Sequence, residues 1–214
     1  MVTKKDTQAA LKAFLGLLAA TPYHAFSLQQ VAEASGVPAG RLIAGFGSKA
    51  GLVEAYFADI DAVLLAEPVE ADGSVRDRLF DVIMRRFDAM QGERAALANL
   101  RKAMRKDRCL ALRLAPVRLR SARIVLALAG IDPDSRRGHV SLAGLAVILS
   151  RTIDVFLADE TADLSPTMKA LDAHLARADK AMGRLCGLSR WTPCRRRSKD
   201  GPTPSPNSGA SAAA

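Results

Sequence analysis

FSLQQVAEASGVPAGRLIAGFGSKAGLVEAYF, residues 26–57, punctuates its own helices. Ser27 can accept from the amide three residues on while Gln30 reaches back, a capping box that opens a short helix over residues 28–34. Gly36 ends that helix, and Ser35-Gly36-Val37-Pro38 is a tight turn. The φ of Pro38 is preset for a first helical position, so a third helix is predicted over residues 38–45. Ser48 caps a fourth, with Leu52, Val53, Tyr56, Phe57, Ile60, Val63 and Leu64 on one side and Pro68 as its stop. Two short helices joined by a Gly-containing turn, the second able to lie in a groove about 12 Å wide, form a helix-turn-helix.

Upstream, Ala10, Leu11, Phe14, Leu15 and Leu18 recur at spacings of three and four, the period of one buried helix face, and Pro22 forbids continuation. Downstream the same period predicts helices over 75–90, 93–107, 108–129 with a bend at Pro116, 139–158 and 166–188. Ser165 is the expected N-cap of the last, with Pro166 in its first turn. No stretch alternates as a strand does, so the fold class is all-α. The domains read as a helix-turn-helix unit at 1–66 and a helical domain at 67–188. A basic, Pro/Ser/Ala-rich tail at 189–214 has too little apolar surface to offset ordering entropy.

Composition narrows the function. The chain has 214 residues, 49% hydrophobic, enough to bury a core without staples. Cys109, Cys186 and Cys194 are widely separated and show no zinc-site spacing, so a reduced cytoplasm is the expected compartment. Asp6, Gln8 and Lys12 interrupt any apolar leader segment at the N-terminus. The longest apolar run, 140–149, is about half of the roughly 20 residues of a membrane span. His24, His139 and His174 are scattered, and no Ser lies in a GxSxG elbow, so no enzyme is expected. Gly45-Phe46-Gly47-Ser48-Lys49 has the wrong order for a phosphate loop. The acids Asp132, Asp134, Asp159, Glu160 and Asp163 have helix-end positions rather than calcium-loop spacing, so neither metal nor cofactor is expected.

The net charge of +9 suggests an acidic partner, but its distribution matters. Residues 1–65 carry five basic and five acidic side chains, so the helix-turn-helix unit is neutral. The surplus lies at 66–128, with 14 basic and eight acidic, and at 188–214, with five and one. The arginines from Arg101 to Arg123 read as a solvated face. Trp191 beside Arg190, Arg195, Arg196 and Arg197 could serve as an anchor on an anionic surface or as a plain solvated tail.

The segment Phe26 to Phe57 resembles the tetracycline-repressor family through Val31, Ala32, Gly36, Val37, Gly40, Leu42, Phe46, Ser48, Lys49 and Leu52. The resemblance covers about residues 8–58. It implies a dimeric transcriptional regulator, here expected to act as a repressor, that binds double-stranded operator DNA. The remaining helices would bind a small apolar ligand, lipid included, and make a homodimer through the last two helices. The DNA-contacting set would be Ser27, Pro38, Ala39, Arg41, Ile43, Ala44, Ser48 and Lys49. Ser27 and Ser48 stand at helix starts, where they either meet phosphate or simply cap, and Lys49 is either a mobile charge at a phosphate or a solvated lysine. Arg41, the only long basic side chain on the third helix, either touches a base edge or stays a surface arginine. Pro38, Ile43 and Gly45 replace the family's usual Ser or Thr, Tyr and His.

A second resemblance concerns RDRLFDVIMRRFDAM (76–90), LAGLAVILSRTIDVFLADETADL (142–164) and SPTMKALDAHLARAD (165–179), which look like the coenzyme Q accessory protein and its bacterial relatives. It implies the alternative function, a lipid-binding accessory factor in ubiquinone synthesis that keeps the fold without DNA. For dimerisation, the 140–149 run is apolar nearly all round, and Gly138, Ser141, Ala143 and Gly144 permit close helix approach. Leu145 is placed in that contact.

Overall fold

Reciprocal capping boxes start three of the helices. Thr3 with Asp6 opens α1 (Lys4–Ala20), Ser27 with Gln30 opens α2 (Leu28–Ser35), and Ser74 with Asp77 opens α5 (Val75–Met90). Each satisfies amides that the first turn leaves without an intrahelical partner. The computed structural model describes residues 2–67 and 73–188. Between α2 and α5 lie α3 (Ala39–Phe46) and α4 (Lys49–Ala66), and a single 3-10 turn, Tyr23–Ala25, joins α1 to α2. The rest is α6 (Arg94–Lys106), α7 (Arg108–Arg113), α8 (Ala115–Leu128), α9 (Arg136–Ala158) and α10 (Ser165–Leu188). Among the described residues there is no strand. Pro68, Cys194, Trp191 and the 189–214 tail lie outside them.

All five apolar residues of the α1 stripe are buried, and they meet Val31, Leu42 and Leu52 in the core of the N-terminal unit. α1 also leans on α6, where Asn99 Nδ2 donates to the Leu18 carbonyl at 2.9 Å and so satisfies an orphan acceptor at the helix end. The same core continues between α5, α8 and α9, where Phe87 and Phe156 stack with centroids 4.8 Å apart. Such a pair contributes about 0.5–1.5 kcal/mol beyond its buried area.

Four sequence expectations are corrected. Val63 is 50% exposed, whereas the rest of the expected α4 face turns inward. The bend in 108–129 is a break at Leu114, with φ −88° and ψ 0°, two residues before the proline. Proline is tolerated in a first turn but not inside a helix, so the chain restarts upstream and places Pro116 where its missing amide costs nothing. Ser165 lies inside α10 rather than capping it. Asp163 accepts from the Ser165 amide at 3.2 Å, and Asp159 accepts from the Thr167 amide at 3.1 Å.

Asp159 does more than cap. Its carboxylate also accepts from the Thr167 hydroxyl at 2.6 Å and from the Thr161 amide and hydroxyl at 3.0 and 2.6 Å. Burial pushes its pKa up, but the hydrogen bonds from Thr161 and Thr167 prevail and bring it down to about 2. Because this folded value lies below the unfolded one, the stabilisation is complete above about pH 4 and is lost as pH falls through about 2. The stability gap between wild type and Asp159→Asn, read by urea unfolding, should therefore narrow between those limits. An unchanged gap would remove the carboxylate's charge from the account.

α9, fourth, is covered by its own chain along one face only. Leu142, Leu145 and Ile148 face their own chain and are buried, while Val140, Ala143, Gly144 and Val147 are exposed. Leu145 is thus a core residue and no interface probe. Within α9, Gly138–Ala158 is by length and composition the one helix among the described residues able to cross a membrane, yet only 28% of its most apolar window is buried.

Candidate nucleic-acid interface and ligand cavity

The pose of α3 follows from its ends and one anchor. Gly36 closes α2 in the left-handed region at φ 69°, where a side chain is strained, and Pro38 enters α3 with φ −54°. Leu42 is wholly buried, which turns Gly40, Arg41, Ile43, Ala44 and Gly45 to solvent. Ile43 is 57% exposed. Pro38 and Ser27 are exposed at the starts of α3 and α2, while Ala39 is half-buried against the core. The outward face is consequently small and apolar, with one cation.

That cation is held. Arg41 Nη1 lies 3.0 Å from Asp6 Oδ2, an ion pair that ties the first turn of α1 to α3. The Thr3 amide and hydroxyl, and then Arg41, hold the Asp6 carboxyl below its usual range. Lys4 and Lys5 are exposed in the same first turn of α1 as Asp6. Both stand outside the set of contact residues expected from the sequence, although cations in a first turn, where the dipole disfavours them, are a visible feature.

Lys49 requires a correction. Its ammonium donates to the Tyr23 and Phe26 carbonyls and sits 4.5 Å from the centroid of each of their rings. Burial pushes its pKa down. It is a fastener between the 3-10 turn and α4 rather than a mobile surface charge, because backbone acceptors and two aromatic faces together outcompete water. Ser48 occupies the N-cap of α4 without a side-chain capping bond. Its Oγ instead accepts from Arg113 Nη2 of α7 at 3.0 Å. Gly51 was also missed. A Cβ there would stand 1.9 Å from the Phe46 carbonyl oxygen, so only glycine lets α3 and α4 meet at this angle.

The N-terminal unit is tied to the remainder through a buried triad. Asp61 of α4 pairs with Arg86 Nη1 of α5, Arg86 Nη2 donates to Ser121 Oγ of α8 at 2.9 Å, and Ser121 Oγ lies 3.0 Å from Asp61 Oδ1. Their exposures are 1%, 6% and 4%, so the pair is largely shielded from bulk water. Arg86 and Ser121 also form part of the wall of a cavity of about 260 Å³ bounded by α5, α6, α8 and α9. The remaining wall is mostly apolar and includes Phe57 of α4. Among the described residues no group of three His, Cys, Asp or Glu is arranged to hold a metal.

Residues 10–56 match the family model for bacterial regulatory proteins of the tetR family. The whole fold is similar to that of a TetR transcriptional regulator from Nitrosomonas europaea, with a TM-score of 0.65 and 21% identity over 81% of this chain and 98% of that one. It is also similar to a TetR transcriptional regulator from Rhodococcus sp., with a TM-score of 0.58 and 20% identity over 80% of this chain and 96% of that one. No curated protein matches the chain. The architecture is thus that of the TetR regulators, with a tetR-type helix-turn-helix ahead of a helical domain.

Proposed function

We propose that the protein is a dimeric, ligand-responsive transcriptional regulator that binds operator DNA through α2 and α3. One observation carries this reading: within a segment matching the tetR family, the buried Leu42 turns a continuous face of α3 to solvent. Ile43 and Ala44 suit contact with thymine methyl groups in the major groove, and Arg41 can offer two donors to guanine once it leaves Asp6. Lys4, Lys5 and the first amides of α2 beside Ser27 would hold phosphates. Asp6→Asn removes the competing carboxylate, so it should tighten binding to every duplex and steepen the salt slope by about one. Arg41→Ala should cost on the order of 1–3 kcal/mol at one base position. Fluorescence anisotropy on the chain's own upstream DNA reads both, and unchanged binding in the two variants would detach Arg41 from DNA.

The dimer would form on α9 and α10. The exposed Val140, Ala143, Gly144 and Val147 leave an apolar stripe on a helix that is mostly uncovered, and a C₂ four-helix contact would cover it. Val147→Arg should yield a folded monomer by light scattering. A dimer that survives Val147→Arg would place the interface elsewhere. Ligand response would run through α4, because Phe57 and the partners of Asp61 stand at the cavity wall. A ligand favouring one position of α4 would change the spacing of the two reading helices.

The lipid-binding accessory reading has two observations in its favour, the apolar cavity and the engagement of Arg41 by Asp6. A stoichiometric isoprenoid on the purified protein, with no DNA binding, would decide for it.

A further inference from the structure

The cavity is asymmetric in charge. Three arginines, Arg86, Arg101 and Arg118, reach its lining, and no carboxylate does. Two of the three are already compensated. Arg86 is paired with Asp61. Arg101 grips Asp154 with both arms, Nε to Oδ1 at 3.0 Å and Nη2 to Oδ2 at 3.1 Å, and the latter nitrogen also donates to the Ser150 carbonyl and hydroxyl oxygens. The Arg101 hydrogen bond, outweighing a smaller push from burial, holds the Asp154 carboxyl below its usual range, so this compensation persists at neutral pH.

Arg118 differs. It lies on α8 at the exposed edge of the cavity, and among the described residues its side chain has no hydrogen bond or ion pair. Across the cavity the Ser150 hydroxyl accepts from Arg101 and keeps its own proton to donate. Behind this rim the wall is hydrocarbon, including Phe87, Met90, Leu100 and Ile153. The volume of about 260 Å³ falls just below that of ordinary ligand clefts, which run from roughly 300 to 1,000 Å³. That suits one short chain or ring system rather than a two-chain lipid.

We propose that the cavity binds an apolar monocarboxylate, with its carboxylate on Arg118 at the rim and its hydrocarbon against Phe87, Met90, Leu100 and Ile153. This rests on the ligand-responsive reading but is tested apart from DNA. Isothermal titration of the full chain with decanoate and with 1-decanol, on wild type, Arg118→Ala and Arg118→Lys, separates charge from apolar burial. Decanoate should bind at least about tenfold more tightly than the alcohol, the worth of one charge-assisted hydrogen bond. Arg118→Ala should bring decanoate down to the alcohol's level without changing the alcohol, and Arg118→Lys should restore part of the difference. Because Arg118 is exposed, circular dichroism should show the variants folded. Equal affinity of acid and alcohol, indifference of decanoate to Arg118→Ala, or no binding of either probe would overturn the assignment. Decanoate binding that depends on Arg118 upholds it even if the protein binds no DNA, and that combination would sink the regulator reading alone.

Discussion

Arg86→Ala should lower the unfolding free energy by about 3–5 kcal/mol, because it leaves the Asp61 carboxylate buried with only the Ser121 hydroxyl as partner. For a chain of this size that corresponds to a fall in Tm on the order of 10 °C. The attraction itself is not the reason, since a buried ion pair gains little over well-fitted apolar side chains once desolvation is counted. The double variant Asp61→Leu with Arg86→Met should therefore recover most of the loss. If Arg86→Ala melts within a degree or two of wild type, Asp61 is reached by water and the tie between α4, α5 and α8 is weaker than its geometry implies.

Gly51→Ala should cost about 1–3 kcal/mol or more and weaken DNA binding at least about tenfold. The new methyl would overlap the Phe46 carbonyl, a backbone atom, so the end of α3 must move relative to α4. That displacement carries Ile43 and Ala44 with it. Gly16→Ala, within α1 and away from the outward face of α3, is the control, since a Cβ there meets nothing within 4 Å. Equal behaviour of the two variants in melting and DNA titration would show that the α3–α4 junction tolerates a shift.

The difference between what the sequence disclosed and what it hid is one of range. Ser27, Gln30 and Gly36 act within four residues, so the boundaries of α2 were legible, as was the α1 stripe, whose period needs no partner to be seen. The restart at Leu114 was misplaced by two residues because proline marks where a helix can begin, and the break falls upstream of the residue that causes it. Lys49 was misjudged for a different reason. Its charge is local information, but the carbonyls and rings that capture it come from Tyr23 and Phe26, more than twenty residues away. Arg101 looked like part of a solvated face until Asp154, 53 residues on, supplied its partner. Asp61 gave no signal, because an acid amid an apolar helix normally points to water, and only α5 and α8 together bury it. Leu145 and Val147 illustrate the same limit, since a helix apolar on every side does not say which side its own chain covers.

The most direct measurement is a salt titration of wild-type protein on its own upstream duplex and on a random duplex of equal length. Binding to the upstream duplex should be the tighter. The logarithm of affinity should fall linearly with the logarithm of salt, with a shallow slope, because residues 1–65 carry no net charge and each phosphate contacted contributes about 0.9. Failure to bind any genomic fragment at low salt, or equal affinity for both duplexes throughout, would contradict the regulator reading and leave the lipid-binding one in its place.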